Sequence, residues 1–161
     1  MKVSIGYKIV SGPWGGGNRF LLELTKALEL NGHNVVFNLC DSDIDIILIV
    51  NPRYRRNPNV TFSARKILNY LIFSNPEAVV VHRINECDER KNTKTMNLKL
   101  RTINYIADHT VFIASWLKNL NVWRQDSPNS VLLIGANQEL FFPSKEKEWN
   151  SKEPLSLVTH H

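Results

Sequence analysis

The 161-residue chain has the length of one domain with a sizeable core, and its 43% hydrophobic and 22% charged residues are ordinary for a soluble globular fold. No apolar run reaches the roughly 18 residues of a membrane span, and Met1-Lys2-Val3-Ser4-Ile5 leads straight into strand-like sequence with no signal-peptide pattern, so a cytoplasmic location is expected. The net charge of +5 selects anionic partners such as nucleotides, phosphorylated substrates or acidic lipid surfaces. The basic residues are spread along the chain, densest at Arg53, Arg55 and Arg56, and no basic helix is interleaved with aromatics, which argues against specific nucleic-acid binding.

Val3 to Val10 is largely β-branched and apolar and reads as a strand. Gly15-Gly16-Gly17 follows as a turn, and then Phe20, Leu21, Leu24, Ala27 and Leu28 recur at helical spacing until Asn31-Gly32 supplies a stop. Glycines at a helix start bring bare amides and a partial positive charge close to a ligand, a natural seat for phosphate. The spacing matches neither GxGxxG nor GxxxxGK[ST], so neither the dinucleotide nor the P-loop fingerprint is present.

His33 to Leu39 reads as a second strand. Ile44 to Val50 is nearly all aliphatic, the pattern of a parallel strand covered on both faces, and Asn51-Pro52 ends it. A helix is expected from Thr61, with Ala64, Ile67, Leu68, Leu71 and Ile72 on its buried face and Asn75-Pro76 closing it. Ala78 to Val81 is a short buried strand from which His82-Arg83-Ile84-Asn85-Glu86 leaves, followed by a loop to Thr95. Met96, Leu100, Ile103 and Ala107 mark a further helix, Thr110 to Ala114 a strand, Ser115 the cap of a short helix, and Ser130 to Ile134 a last strand. Such alternation implies an α/β fold, an open and mostly parallel Rossmann-like sheet with helices on both faces. Ligands then bind beyond the carboxyl ends of the strands, which gathers Gly15 to Arg19, Asn51 to Arg56, His82 to Glu86 and Gly135 to Asn137 on one rim. Residues 144 to 153 have the composition of a linker, and Pro154 onward resembles the opening of a new strand.

Several residues invite chemistry. His82 at the rim suits a general base or a hydroxyl ligand, and Arg83 suits a bidentate clamp on phosphate or carboxylate. The alternative is a local network in which Arg83 pairs with Glu86 or Asp88 and organises the loop. Asp41-Ser42-Asp43 spells DxD, but it precedes a strand and so sits at the end opposite the rim; no metal is expected there. Cys40 and Cys87 lack CxxC spacing and are expected to be reduced.

Gly15-Gly16-Gly17-Asn18-Arg19 through Leu24, Ala27, Leu28, Gly32, His33 and Val35 resembles the amino-terminal pattern of family 4 glycosyltransferases of the GT-B fold, where a GG-x-x-R-type loop precedes a helix ending in a G-H-x-V strand entry. Ala107 to Leu117 is similar to that family's S-x-W-L strand–helix, and Gly135 to Pro143 to its N-G-V-D-x-x-x-F-x-P element, with Ile134 in place of the Asn and Asn137 in place of the Asp. The resemblance implies a retaining, nucleotide-sugar-dependent transferase of which this chain is the acceptor-side half. Residues 1–143 would form the Rossmann-like domain, 144–154 an interdomain linker and 155–161 the first strand of a donor-binding domain whose remainder is missing. It further implies donor or substrate contacts from Gly15, Gly16, Gly17, Arg19, Arg83, Asn85, Glu86 and Asn137, with His82 as the catalytic candidate. A nucleotide-diphosphate sugar would be the donor, with no metal and no cofactor held by this domain alone, and a sugar or glycolipid the acceptor. Peripheral membrane contact and self-association through the uncovered cleft wall are the other expected associations. No two glutamates have the E-x7-E separation of the family's donor site, so the chain is expected not to transfer sugar by itself. A non-catalytic phosphate- or carbohydrate-binding module of the same fold is the alternative.

Overall fold

The computed structural model describes residues 1–12, 15–53 and 57–135. Arg55, Arg56 and Asn137, the expected linker over 144–154 and the expected strand over 155–161 lie outside the described residues.

Six parallel strands form one sheet in the order β2-β1-β3-β4-β5-β6: β1 (Lys2–Ile5), β2 (Asn34–Val36), β3 (Ile46–Ile49), β4 (Val79–Ile84), β5 (His109–Phe112) and β6 (Asn129–Val131). This is the expected open Rossmann-like sheet. α1 (Gly16–Leu30) covers one face, its Leu21 packing with Val3, Ile5, Leu48 and Val50. α2 (Ala64–Phe73) and α4 (Met96–Asn104) cover the other, where Ile67, Tyr70 and Ile103 meet Ile47, Ile49 and Val80. Alternate residues of β3 thus enter opposite cores, which is why its sequence is continuously aliphatic. A one-turn helix, α3 (Asp88–Lys91), lies in the segment expected to be loop. No helix among the described residues is long and apolar enough to cross a membrane.

β1 ends at Ile5 rather than continuing to Val10. The chain turns away at Gly6, whose N–H still donates to the Leu48 carbonyl at 2.9 Å. A Cβ there would stand 3.0 Å from the Phe62 ring and 3.1 Å from the Leu48 carbonyl oxygen, so only glycine fits against both. Gly6→Ala is expected to lower the stability of the fold by about 1–3 kcal/mol in a denaturant titration, because the backbone oxygen cannot move aside as a side chain can.

The connection from β2 to β3 carries no helix. It crosses β1 as an extended strap, held where the Ser4 hydroxyl donates to the Asn38 carbonyl at 2.6 Å and where Leu39 packs on the α2 side. At the amino end of the sheet Lys2 Nζ donates to Asp41 at 3.0 Å and Asp43 at 2.6 Å. The two DxD carboxylates therefore lie at the pole away from the strand carboxyl ends and are bound to an internal cation. Hydrogen bonding to Lys2 holds the Asp43 carboxyl below its usual range.

The buried face of α2 differs from the expected one. Ile67 and Tyr70 point inward, and the Tyr70 hydroxyl accepts from the Ile44 N–H at 3.0 Å. Leu68 and Ile72 turn to solvent. Packing Tyr70 beneath β3 rotates the helix so that its apolar stripe is centred elsewhere. α4 buries Met96, Leu100 and Ile103 as its spacing requires. Its first turn is capped from α3: the Asp88 carboxylate accepts from the Met96 N–H at 2.8 Å and the Asn97 N–H at 3.0 Å. The short helix after β5 is a 3-10 turn over Ser115–Asn119 preceded by Ala114, so Ser115 is its first residue and not its cap.

Candidate functional site

With β1 between β2 and β3, the strand order reverses beside β1, and the crevice at that point opens beyond the carboxyl ends of β1, β3 and β4. Three segments meet there: Tyr7 and the glycine turn after β1, Val50 and Asn51 after β3, and Arg83, Asn85 and Glu86 at the end of β4. The wider cleft, about 340 Å³, adds Gly15, Gly16, Arg90 and Lys91. A Cβ on Gly17 would come within 3.9 Å of the Asn85 side-chain nitrogen, so the two segments are direct neighbours.

The glycine turn is shaped by Asn18. Its carboxamide takes the Val10 N–H at 2.9 Å and donates back to the Val10 carbonyl at 2.8 Å, imitating a strand neighbour. The chain arriving from β1 is thereby tied to the first turn of α1. Gly15 carries no capping side chain, and its carbonyl accepts from the Asn18 and Arg19 N–H groups. The first amides of a 15-residue helix thus open toward the cleft with the positive end of the helix dipole behind them.

Arg83 is 4% exposed, and its guanidinium carbon lies 3.8 Å from the centroid of the Phe20 ring of α1. Burial lowers its pKa to about 10, so it remains a cation at neutral pH. Neither local partner expected from sequence engages it. Glu86 pairs with Arg53, joining the loops after β3 and β4, and Asp88 caps α4. Among the described residues Arg83 has no ion pair. A buried, stacked guanidinium beside open helix amides is a constellation that an anion completes.

Two expectations are corrected here. His82 does not leave the sheet at the rim: β4 continues to Ile84, and the imidazole is wholly buried on the α4 side. Its Nδ1 lies 3.1 Å from the Asn104 side-chain nitrogen, which also donates to the Thr110 hydroxyl at 2.8 Å, while Asn104 Oδ1 accepts from the Arg124 N–H at 2.8 Å. Asn104 therefore presents N–H to Nδ1, and the ring carries its proton on Nε2, which has no hydrogen-bond partner. Burial pushes the pKa of this histidine down to about 3. Arg19 is not brought to the cleft either. It is exposed and pairs with Glu23 one turn along α1 at 2.8 Å, the ordinary i,i+4 pattern.

Gly15, Gly16, Gly17, Arg83, Asn85 and Glu86 do converge on one cleft. Asn18 and Tyr7 line the same cleft without having been singled out as site residues, and Arg53 is joined to it through Glu86. Asn18 was legible as a polar residue in the first turn of a helix with no cap; the Arg53–Glu86 pair joins residues 33 positions apart and had no local signature. Cys40 is exposed and Cys87 buried, and both are free. Among the described residues no three His, Cys, Asp or Glu side chains are grouped to hold a metal ion. The chain matches no protein-family model, no curated protein and no solved structure.

Proposed function

We propose that this chain is the acceptor-side half of a nucleotide-sugar-dependent glycosyltransferase. The observation that carries the reading is the meeting of the glycine turn at the start of α1 with Arg83, Asn85 and Glu86 in one cleft at the switch point of a parallel sheet. In this reading the amides of Gly16 and Gly17 and the Arg83 guanidinium receive the donor diphosphate, the largest concentration of negative charge in such a substrate. Asn85 and Glu86 offer an amide and a carboxylate for sugar hydroxyls, and the ion pair with Arg53 orients the Glu86 carboxylate.

The burial of His82 favours a second reading. It removes the one expected general base from the cleft, so a phosphate- or carbohydrate-binding module without chemistry fits the same geometry. Nuclear magnetic resonance of the labelled chain separates the two. Titration with sugar nucleotides and with simple glycosides is expected to shift the amides of Gly15, Gly16, Gly17 and Asn85 together, and both ligands bound at once would support a transferase half. Binding of glycosides or phosphate with no response to any sugar nucleotide would favour the module. Silence at millimolar concentrations of both ligand types would overturn the site itself.

A further inference from the structure

We propose that the outer surface of the α2–α4 layer docks on an anionic lipid bilayer. This inference is independent of the sugar-handling reading, since it concerns the opposite face of the sheet from α1 and needs no ligand in the cleft.

The two helices lie side by side on one face, sharing the core of Ile67, Tyr70 and Ile103. Neither contains an aspartate or a glutamate. Arg65 and Lys66 on α2, Lys99 and Arg101 on α4 and Lys94 just before α4 are all cationic. Those five charges equal the net charge of the whole chain, so the other basic and acidic residues balance. The outer side of α1, by contrast, mixes Arg19, Glu23, Lys26 and Glu29. The sequence scatters these cations over about 40 positions; the fold collects them on a single face.

Between the cations stand large apolar side chains that the core does not use. Ile72 is 66% exposed, Phe73 81% and Leu98 67%. A groove of about 390 Å³ lies between the amino-terminal end of α2 and the length of α4, with Phe62, Leu98 and Ile103 in its walls and Arg65 and Lys99 beside them. It runs to Asn51, which also lines the cleft at the switch point. Basic residues alternating with exposed aliphatic and aromatic ones are what an interfacial surface needs: the cations meet lipid phosphates while the apolar groups enter the acyl boundary. A nucleic acid would use the cations and has a stacking partner in Phe73, but would gain nothing from Ile72 and Leu98. A protein interface of this kind would bury lysine at its centre, where that residue is depleted.

The test is co-sedimentation of the full chain with vesicles of neutral phosphatidylcholine, with and without about 30 mol% phosphatidylserine, a content typical of an acidic surface. Partitioning is expected to rise at least about tenfold on adding the anionic lipid and to fall with salt. The variant Arg65→Glu/Lys99→Glu/Arg101→Glu is expected to lose at least about tenfold, since each cation near such a surface is worth roughly fivefold. Ile72→Ser/Phe73→Ser is expected to lose severalfold at unchanged charge. All these positions lie at the surface, and a thermal melt confirms that each variant is folded. Equal binding to neutral and anionic vesicles, or an unaffected charge-reversed variant, would overturn the proposal. So would full binding by the Ile72/Phe73 variant together with displacement by a single-stranded oligonucleotide, which would assign the face to nucleic acid.

Discussion

Arg83→Met is expected to melt no lower than the unaltered chain while its affinity for inorganic pyrophosphate falls at least tenfold. The two halves of that expectation have one cause. A guanidinium buried to 4% exposure with an aromatic face and no carboxylate beside it is held at a desolvation cost that the Phe20 contact offsets only in part, a cation–π contact being worth about 0.5–2 kcal/mol. Methionine has a similar reach, packs on Phe20 and removes the charge. Charge-assisted hydrogen bonds to an anion are each worth about 1.5–3 kcal/mol, so their loss is a factor of roughly 10 to 150 in affinity. Arg83→Lys keeps the charge without the planar fork and is expected to fall between the two. Calorimetric titration and a thermal melt on the same samples give both numbers. Unchanged pyrophosphate affinity in the methionine variant would mean that Arg83 is no part of an anion site, and a large drop in melting temperature would make it a structural residue.

The second large effect is acid lability centred on His82. In the unfolded chain this histidine takes up a proton near its ordinary pKa of 6.5, whereas in the fold burial holds it down to about 3. Between those values the unfolded state binds more protons, so stability falls as pH falls through that window and is unaffected by this group above it. The slope is at most about 1.4 kcal/mol per pH unit, against a total stability of about 5–15 kcal/mol for a typical domain. The geometry gives the same sign: a proton on Nδ1 would face the Asn104 N–H group, donor against donor. Urea titrations at pH 7.5, 6, 5 and 4 are expected to show the loss. In His82→Gln, whose amide oxygen can still accept from Asn104, the slope between pH 6 and 4 is expected to flatten. An equally steep dependence in that variant would assign the acid sensitivity to other groups.

Much of the architecture is legible in the residue order because buried parallel strands leave so plain a record. Ile44 to Val50 has to be central, and it pairs with β1 and β4 on its two sides. Helix faces read less well where an amphipathic aromatic competes with aliphatics. The stripe of Leu68 and Ile72 looked as good as the true one until the Tyr70 hydroxyl, which needs a buried donor, fixed the rotation of α2. The histidine was misplaced for a related reason. Periodicity cannot tell a polar residue at a strand end from one buried in the strand with partners, and His82 meets Asn104 and Thr110 only through the tertiary fold. The cleft itself was readable at the level of segments, since strand carboxyl ends converge by topology alone. Which side chains within those segments stay unpaired depends on long-range pairs such as Arg53 with Glu86, and no local pattern carries that information.

The order of the strands has one more implication. From β3 onward each new strand is laid beside the one made just before it, through β4, β5 and β6. A chain emerging from the ribosome can therefore assemble vectorially, seating the βαβ unit first and then extending the sheet along a single growing border. At every intermediate length the ragged margin is the newest strand, so a stalled translation product should expose one unfinished edge instead of an unformed interior.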